Sequence, residues 1–354
     1  MLKKVTLKDI ARDTGLSIST VSRALSQTGK ISKANERKVF ESANRLNYPL
    51  LSVHTPIEHK HCINIALVTR HYTGEFYSSL FEGFDHSTKD KKASVNLISL
   101  RYISSTATQM LSELKKNRYD AAVIFLPEFR EAHYQELIKK VPADFPVVSI
   151  APIINPILDT VTFDNYRGGY LVAKHFEEHG YRNLGIIQGP VSQYEAMLRK
   201  NGFIDYIQAS ENMKLIWQYN GDYSFQKGKE AYDDFKELSL KPDAIFCSND
   251  SMTLGFMHSA MRQGVHIPSD VAVAGFDDLP ACSLYTPTIT SVHTPYEVLG
   301  KKTLELIFNR LKERTDIPHT GYTNLVPVSL NIRESSTELA GKYRNYYADL
   351  PEQP

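Results

Sequence analysis

The chain has 354 residues, 42% hydrophobic and 23% charged, with a formal net charge of +1. That length and composition suit a globular protein with one small and one large domain, and the near-zero total excludes a chain that is basic throughout. Three cysteines at unrelated spacings (Cys62, Cys247, Cys282) and no apolar run near 18 residues exclude a disulfide framework, a cysteine metal motif and a membrane span. The polar first residues do not read as a secretion signal, so a reducing cytoplasm is the expected compartment.

The charge is unevenly spread. Residues 1–49 hold ten Lys/Arg and four acids, a net of +6, which leaves −5 on the remainder. A basic head on a slightly acidic body suggests a nucleic-acid-facing module joined to a sensing or catalytic body; a merely solvated charged face is the plainer alternative. Residues 6–47 read as three short helices without a strand. In the first, Thr6 is placed to cap, with Asp9 three residues on. Ile10 and Ala11 face inward, and Ala11 is small enough for close helix crossing. Gly15 supplies the positive φ of a tight inter-helix turn. Ser17 caps the second helix and Val21 returns to the shared core. This spacing predicts two helices crossing steeply, the second presenting Ile18, Ser19, Ser22 and Arg23 outward. Such a helix fits the major groove, where an arginine binds guanine in bidentate fashion. A third helix from Ser32 through Val39, Ala43 and Leu46 closes the small core.

Residues 50–61 (LLSVHTPIEHKH) read as a linker. Its His54, His59, His61 and the following Cys62 read as a solvated stretch before a zinc site. From residue 62 the pattern alternates. Strands are predicted at 63–69, 94–100, 121–126, 147–151, 160–164, 184–188, 214–219, 244–248 and 271–276. Helices are predicted at 75–91, 108–117, 166–179, 194–209, 224–238 and 250–263. Continuous apolar strands between helices mean parallel sheets covered on both faces. Nine strands exceed one comfortable sheet, so two β/α lobes are predicted, starting near 62 and near 166. Ligands in such sheets sit beyond the carboxyl ends of the strands. Residues 337–354 read as a disordered tail.

Val5-Thr6-Leu7-Lys8-Asp9-Ile10-Ala11, Ser19-Thr20-Val21-Ser22-Arg23 and Leu46-Asn47-Tyr48 closely resemble the LacI/GalR family of bacterial regulators. In the body, Phe163-Asp164-Asn165 before Gly168-Gly169-Tyr170, then Gly189-Pro190, Asn249-Asp250 and Gly275-Phe276-Asp277-Asp278, resemble the family's signatures in order. The similarity covers about residues 4–335. It implies an α/β fold: an N-terminal three-helix helix-turn-helix DNA-binding domain (1–49), a hinge (50–61), and a two-lobed periplasmic-binding-protein-like (type I) domain (62–336). The lobes are expected near 62–165 plus 294–325 and 166–293 plus 326–336. It further implies a homodimeric repressor on a near-palindromic operator, no cofactor, no metal, no catalysis and no membrane.

By motif position, Ile18, Ser19 and Arg23 resemble base-reading residues. Thr6, Ser17, Thr20, Ser22, Ser26, Lys30 and Ser32 resemble phosphate or positioning contacts. Phe76, Tyr77, Asp164, Arg199, Tyr223, Asn249 and Asp277 resemble effector contacts. Their chemistry suits a carbohydrate first, with an aromatic face against a sugar ring and Arg and Asp on paired hydroxyls, and a purine or other metabolite second. Plainer readings stay open: Asp277 as a turn cap, Tyr223 as lobe packing, Arg199 as a surface arginine. Three positions depart from the family. Pro56 falls inside the hinge, where a helical proline costs about 3 kcal/mol, so no regular hinge helix is expected; Leu50, Leu51 or Ile57 remain candidate apolar wedges. Glu195 adds a negative charge before Arg199. Thr294 stands where Gln is usual. The rival readings are a sugar or nucleotide enzyme and a solute-binding transport protein. No GxGxxG follows the first strand and no GxxxxGK[ST] occurs, and the adjacent Asp277 and Asp278 point apart, a poor acid/base pair.

Overall fold

The computed structural model describes residues 5–26, 31–46, 48, 62–70, 74–89, 91–100, 107–142, 144–312 and 321–337. The linker 50–61, with Pro56 and its histidines, lies outside them, as does residue 338 onward. The expected tail begins one residue too early. Thr337 is buried, and its hydroxyl donates to the Arg333 carbonyl at 3.0 Å. The chain separates into two compact units, Met1–Cys62 and Ile63–Pro354.

The first unit holds α1 (Leu7–Thr14), α2 (Ile18–Ser26) and α3 (Lys33–Arg45). At the start of α1 the Thr6 amide and hydroxyl both donate to the Asp9 carboxylate, at 2.8 and 2.7 Å. The helix stops at Gly15, whose φ of 71° a side chain would strain. Ser17 accepts the Thr20 amide at 3.1 Å, and Ser32 accepts the Asn35 amide at 3.3 Å, each opening a helix. Ile10, Ala11, Val21, Ala24, Leu25, Val39, Phe40 and Ala43 form the core. Asp13 ties α1 to α3 through Ser42 and Arg45, and those two donors hold its carboxyl below the usual range. Ser17→Ala is expected to destabilise this unit by about 1 kcal/mol. Native-state hydrogen exchange should find the loss in the amides of α2; unchanged protection there would deny Ser17 its capping role.

The second unit runs β1 (Ile63–Thr69), α4 (Glu75–His86), β2 (Ala93–Ser99), α5 (Ala107–Lys116), β3 (Ala121–Phe125), α6 (Glu131–Ile138), β4 (Val147–Ser149), β5 (Asp159–Phe163), α7 (Asn165–Glu178), β6 (Asn183–Gln188), α8 (Tyr194–Ala209), β7 (Lys214–Asn220), α9 (Phe225–Lys236), β8 (Ala244–Cys247), α10 (Asp250–Arg262), β9 (Ala272–Asp277), α11 (Ala281–Leu284), β10 (Thr290–His293), α12 (Tyr296–Lys312), β11 (Thr323–Val326) and β12 (Ser329–Asn331). These strands make two six-stranded sheets, ordered β11-β5-β4-β3-β1-β2 and β12-β10-β9-β8-β6-β7. Every pairing is parallel except β10 with β12. Strands such as β3, β5, β8 and β9 are buried almost throughout, as helices on both faces require.

The chain passes between the sheets three times: at Asp164, at Thr294-Pro295 and between β11 and β12. Within the second lobe, α7 and α8 pack at backbone distance. A Cβ on Gly169 would lie 1.9 Å from the Arg199 carbonyl oxygen, and one on Gly202 would lie 1.9 Å from that of Tyr166.

Candidate functional site

In the first unit, α2 buries Val21, Ala24 and Leu25 and leaves the other face in solvent. Ser17, Ile18, Ser19, Ser22 and Arg23 are exposed, Ile18 at 46%, and Thr20 is half-buried. An exposed isoleucine beside serines and an arginine is an apolar and hydrogen-bonding strip of the kind that meets base edges. Arg23 Nε donates to the Ser19 carbonyl at 3.2 Å, so its stem lies along its own helix. Ser17, Ser19 and Thr20 share hydroxyl contacts of 2.8 and 2.7 Å. Thr6 and Ser32, both exposed, sit at the starts of α1 and α3. The side chain of Ser26 and all of Lys30 lie outside the described residues.

In the second unit a cavity of about 370 Å³ lies between the lobes, within the range of small-molecule sites. Its walls come from segments just beyond strand carboxyl ends in both sheets. Of the predicted contacts, Phe76, Tyr77, Arg199, Tyr223, Asn249 and Asp277 meet there. The aromatic wall is Phe76 against Tyr77 (centroids 5.2 Å, edge-on) and Phe125 (5.3 Å), and Tyr296 packs on Phe76 without lining the cavity (5.9 Å). Burial, reinforced by Glu128 and Glu195, pushes the Tyr77 hydroxyl up to about 12, so it remains a donor.

Asp164 is the exception. Phe163 and Asn165 line the cavity, whereas Asp164 caps α7 by accepting the Arg167 amide at 2.9 Å. It stands at the first passage between lobes, where its own amide donates to the Val326 carbonyl at 2.9 Å. Its two sequence neighbours reach the cavity, but the backbone turns this carboxylate toward the helix.

Arg199 is buried, which ends the surface reading. Its Nε donates to Asn165 Oδ1 at 2.8 Å and its Nη1 to the Ser248 carbonyl at 2.7 Å. The guanidinium lies 3.7 Å from the Phe276 ring centroid and 5.6 Å from that of Tyr223. Nη1 also stands 3.3 Å from Asp277 Oδ1, an ion pair without an aligned hydrogen bond, so that oxygen has no hydrogen-bond partner. Burial opposes the Arg199 charge, but Asp277, Tyr223 and Glu195 more than offset it, and its pKa rises. Burial pushes Asp277 up to about 6, with Arg199 holding it from going higher.

Asp277 and Asp278 both have positive φ, 108° and 54°, which faces them apart. Asp277 looks into the cavity and caps nothing, while Asp278 accepts from His293 at 2.9 Å and Asn331 at 2.6 Å and pairs with Arg333 at 2.7 Å. Thr294, the departure from the usual Gln, donates its hydroxyl to the Asp277 carbonyl at 2.9 Å and so fixes this turn. Tyr223, also at positive φ (70°), buries a hydroxyl that has no partner. Asn249 accepts the Met252 amide and donates to the Tyr223 carbonyl, both at 3.0 Å, so one amide opens α10 and holds the tyrosine.

The motif reading did not single out Arg70, Glu75, Phe125, Glu128, Asn165, Asp222 and Ser251 as cavity residues. The signal for several was present: Arg70, Phe125 and Glu128 close or follow β1 and β3, the same rule that found Asn249 and Asp277. Among the described residues, no cluster of His, Cys, Asp and Glu is arranged to hold a metal, and no helix is long and apolar enough to cross a membrane.

Residues 6–49 match the family described as bacterial regulatory proteins, lacI family, and residues 173–336 match a periplasmic binding protein-like domain. The HTH-type transcriptional repressor PurR of Mannheimia succiniciproducens is 25% identical over 312 residues, covering 87% of this chain and 92% of the relative. The PurR of Yersinia enterocolitica is 23% identical over 342 residues, covering 96% and 99%. The fold is shared with the Lac repressor bound to ONPG (TM-score 0.74, 23% identity, 94% of this chain and 100% of that one) and with a CelR–cellobiose complex (0.68, 22%, 94% and 100%). Ordered motifs, two matched domains and relatives along most of the chain converge: the chain joins a DNA-binding domain of the lacI family of bacterial regulatory proteins to a periplasmic binding protein-like domain.

Proposed function

We propose that the chain is a sequence-specific DNA-binding repressor, not an enzyme, acting in the cytoplasm as a homodimer on a near-palindromic operator. Its effector is a sugar or sugar derivative held in the cavity between the lobes. The observation that carries this reading is the cavity itself: a buried Arg199–Asp277 pair with an unsatisfied Asp277 oxygen, facing an aromatic wall. Charge-assisted hydrogen bonds to paired hydroxyls contribute about 1.5–3 kcal/mol each, and an aromatic face covers the apolar face of a sugar ring. Two arrangements of the lobes about their three crossings would differ in how they space the DNA-reading heads, about 34–36 Å apart on successive major grooves. A ligand that prefers one arrangement couples reciprocally to operator affinity. A purine is the second reading, favoured by the relatives named PurR and by the same aromatic wall.

In the first unit, Ile18, Ser19 and Arg23 read bases. Thr6, Ser17, Thr20, Ser22, Ser26, Lys30 and Ser32 position the backbone. Arg23→Ala is expected to weaken operator binding by about 1–3 kcal/mol and relax base choice at one position per half-site. Selection of a binding sequence from random duplexes, followed by titration of point-changed sites at fixed salt, measures both. Unaltered discrimination in the variant removes Arg23 from base reading, and absence of any selected sequence removes the repressor reading.

A further inference from the structure

One cavity residue belongs to neither the Arg199–Asp277 pair nor the aromatic wall. Glu195, in the first turn of α8, is 6% exposed and lines the cavity, and its Oε2 has no hydrogen-bond partner. A buried acceptor left unpaired is costly unless something arrives to satisfy it. Its neighbours do not. Arg199, one turn along the same helix, already gives its Nε to Asn165 and its Nη1 to Ser248. Glu128, from the segment after β3, sits 2.8 Å from Arg70, and Asp277 faces Arg199. Tyr77, Tyr134 and Tyr223 also lie within electrostatic reach of Glu195, from α4, α6 and the segment after β7. Glu75 and Asp222 add two more carboxylates to the lining, so five acids stand against two arginines, and among the described residues no lysine joins them.

We propose that Glu195 is the specificity-determining residue of this cavity, reserving a carboxyl oxygen for a ligand donor and restricting the effector to polyhydroxyl molecules without an anionic group. The inference rests on the effector-site reading and deepens it. A phosphate or carboxylate on the ligand meets excess negative charge and two guanidiniums already paired with carboxylates. A hydroxyl or ammonium group meets acceptors at Glu195 and Asp277 that lack hydrogen-bond partners. Burial pushes the Glu195 carboxyl up to about 7; Glu128 and Asp277 add to the rise, while its own backbone amide and Arg199 oppose it. A ligand donor favours the ionised form. Affinity therefore rises with pH through about 7, by up to about tenfold between pH 6 and 8, as the ionised fraction grows.

The test compares the full-length protein with Glu195→Gln. Glucose, galactose, cellobiose and glucosamine are set beside glucose 6-phosphate and gluconate, with hypoxanthine as a separate arm. Melting shifts and calorimetry at pH 6, 7 and 8 are the readouts. At least one non-anionic polyol is expected to bind, its anionic counterpart at least tenfold more weakly. In Glu195→Gln the pH dependence should shrink to the smaller part that Asp277, raised to about 6, contributes, and the discrimination should shrink with it. The inference is overturned by an anionic counterpart that binds as well as its parent, by a variant that keeps both affinity and pH slope, or by a panel in which no polyol shifts the melting temperature. The underlying regulator reading fails differently. A polyol that binds through Glu195 but leaves operator affinity unchanged removes the coupling, whereas an anionic effector that releases operator removes the role of Glu195 alone.

Discussion

Replacing Arg199 with methionine is expected to destabilise the second unit by about 3–5 kcal/mol and to abolish effector binding. The methionine fills similar volume, so the loss is electrostatic. Asn165 Oδ1 and the Ser248 carbonyl lose their donors, and Asp277 is left buried without its cation. That last term carries a pH signature. Burial already raises the Asp277 carboxyl to about 6 in the folded protein, against 3.8 ordinarily, and losing Arg199 raises it further. A carboxyl raised on folding costs nothing where both states are protonated. The cost grows as pH climbs above the unfolded value and is complete above the folded one. The deficit of Arg199→Met should therefore be smaller at pH 5 than at pH 8, as measured by denaturant titration of the second unit's transition. Adding Asp277→Asn should recover part of it at pH 8. An equal deficit at both pH values would show that Asp277 is not its source.

Gly169→Ala is expected to cost about 3 kcal/mol or more, although it adds one methyl group. That methyl would stand 1.9 Å from the Arg199 carbonyl oxygen and 2.9 Å from the Phe203 amide nitrogen. Both are backbone atoms, so no side-chain rotation relieves the clash and α8 must move as a body. Overpacking usually costs about 1–3 kcal/mol, and rigid neighbours place this site at or above the top of that range. Because α8 carries Glu195 and Arg199, the same shift would loosen the 2.8 Å bond from Arg199 to Asn165 on α7. Melting temperature should fall together with effector affinity, while operator binding at a temperature where the variant stays folded persists. A variant that melts normally would mean the helices can separate freely there.

Why some of this was legible in the amino-acid order follows from what each feature depends on. The predicted strands at 121–126 and 244–248 became β3 and β8 because continuous apolar runs have no other comfortable place than a sheet covered on both sides. The helix predicted over 75–91 ends at His86, where the chain closes turns from Thr88 to Asp85 and from Lys89 to His86 that periodicity does not encode. Asn249 and Asp277 were legible because a strand's carboxyl end fixes where the next residue goes. Asp164 sits between two cavity residues but turns to cap α7, since its orientation is decided by the φ/ψ of one residue between β5 and α7. The Asn165–Arg199–Ser248 tie was hidden for another reason. It exists because α7 and α8 touch through Gly169 and Gly202, a contact between segments more than thirty residues apart.

The paired left-handed residues at the end of β9 have an evolutionary consequence. They send two adjacent carboxylates on separate errands: one faces the cavity beside Arg199, the other is a rivet through the strands that carry the chain from lobe to lobe. On the proposed effector reading, a descendant that exchanges Asp277 together with its partner Arg199 can suit a new ligand while Asp278 keeps the mechanical joint intact. Ligand choice can then drift without rebuilding the transmission beneath it.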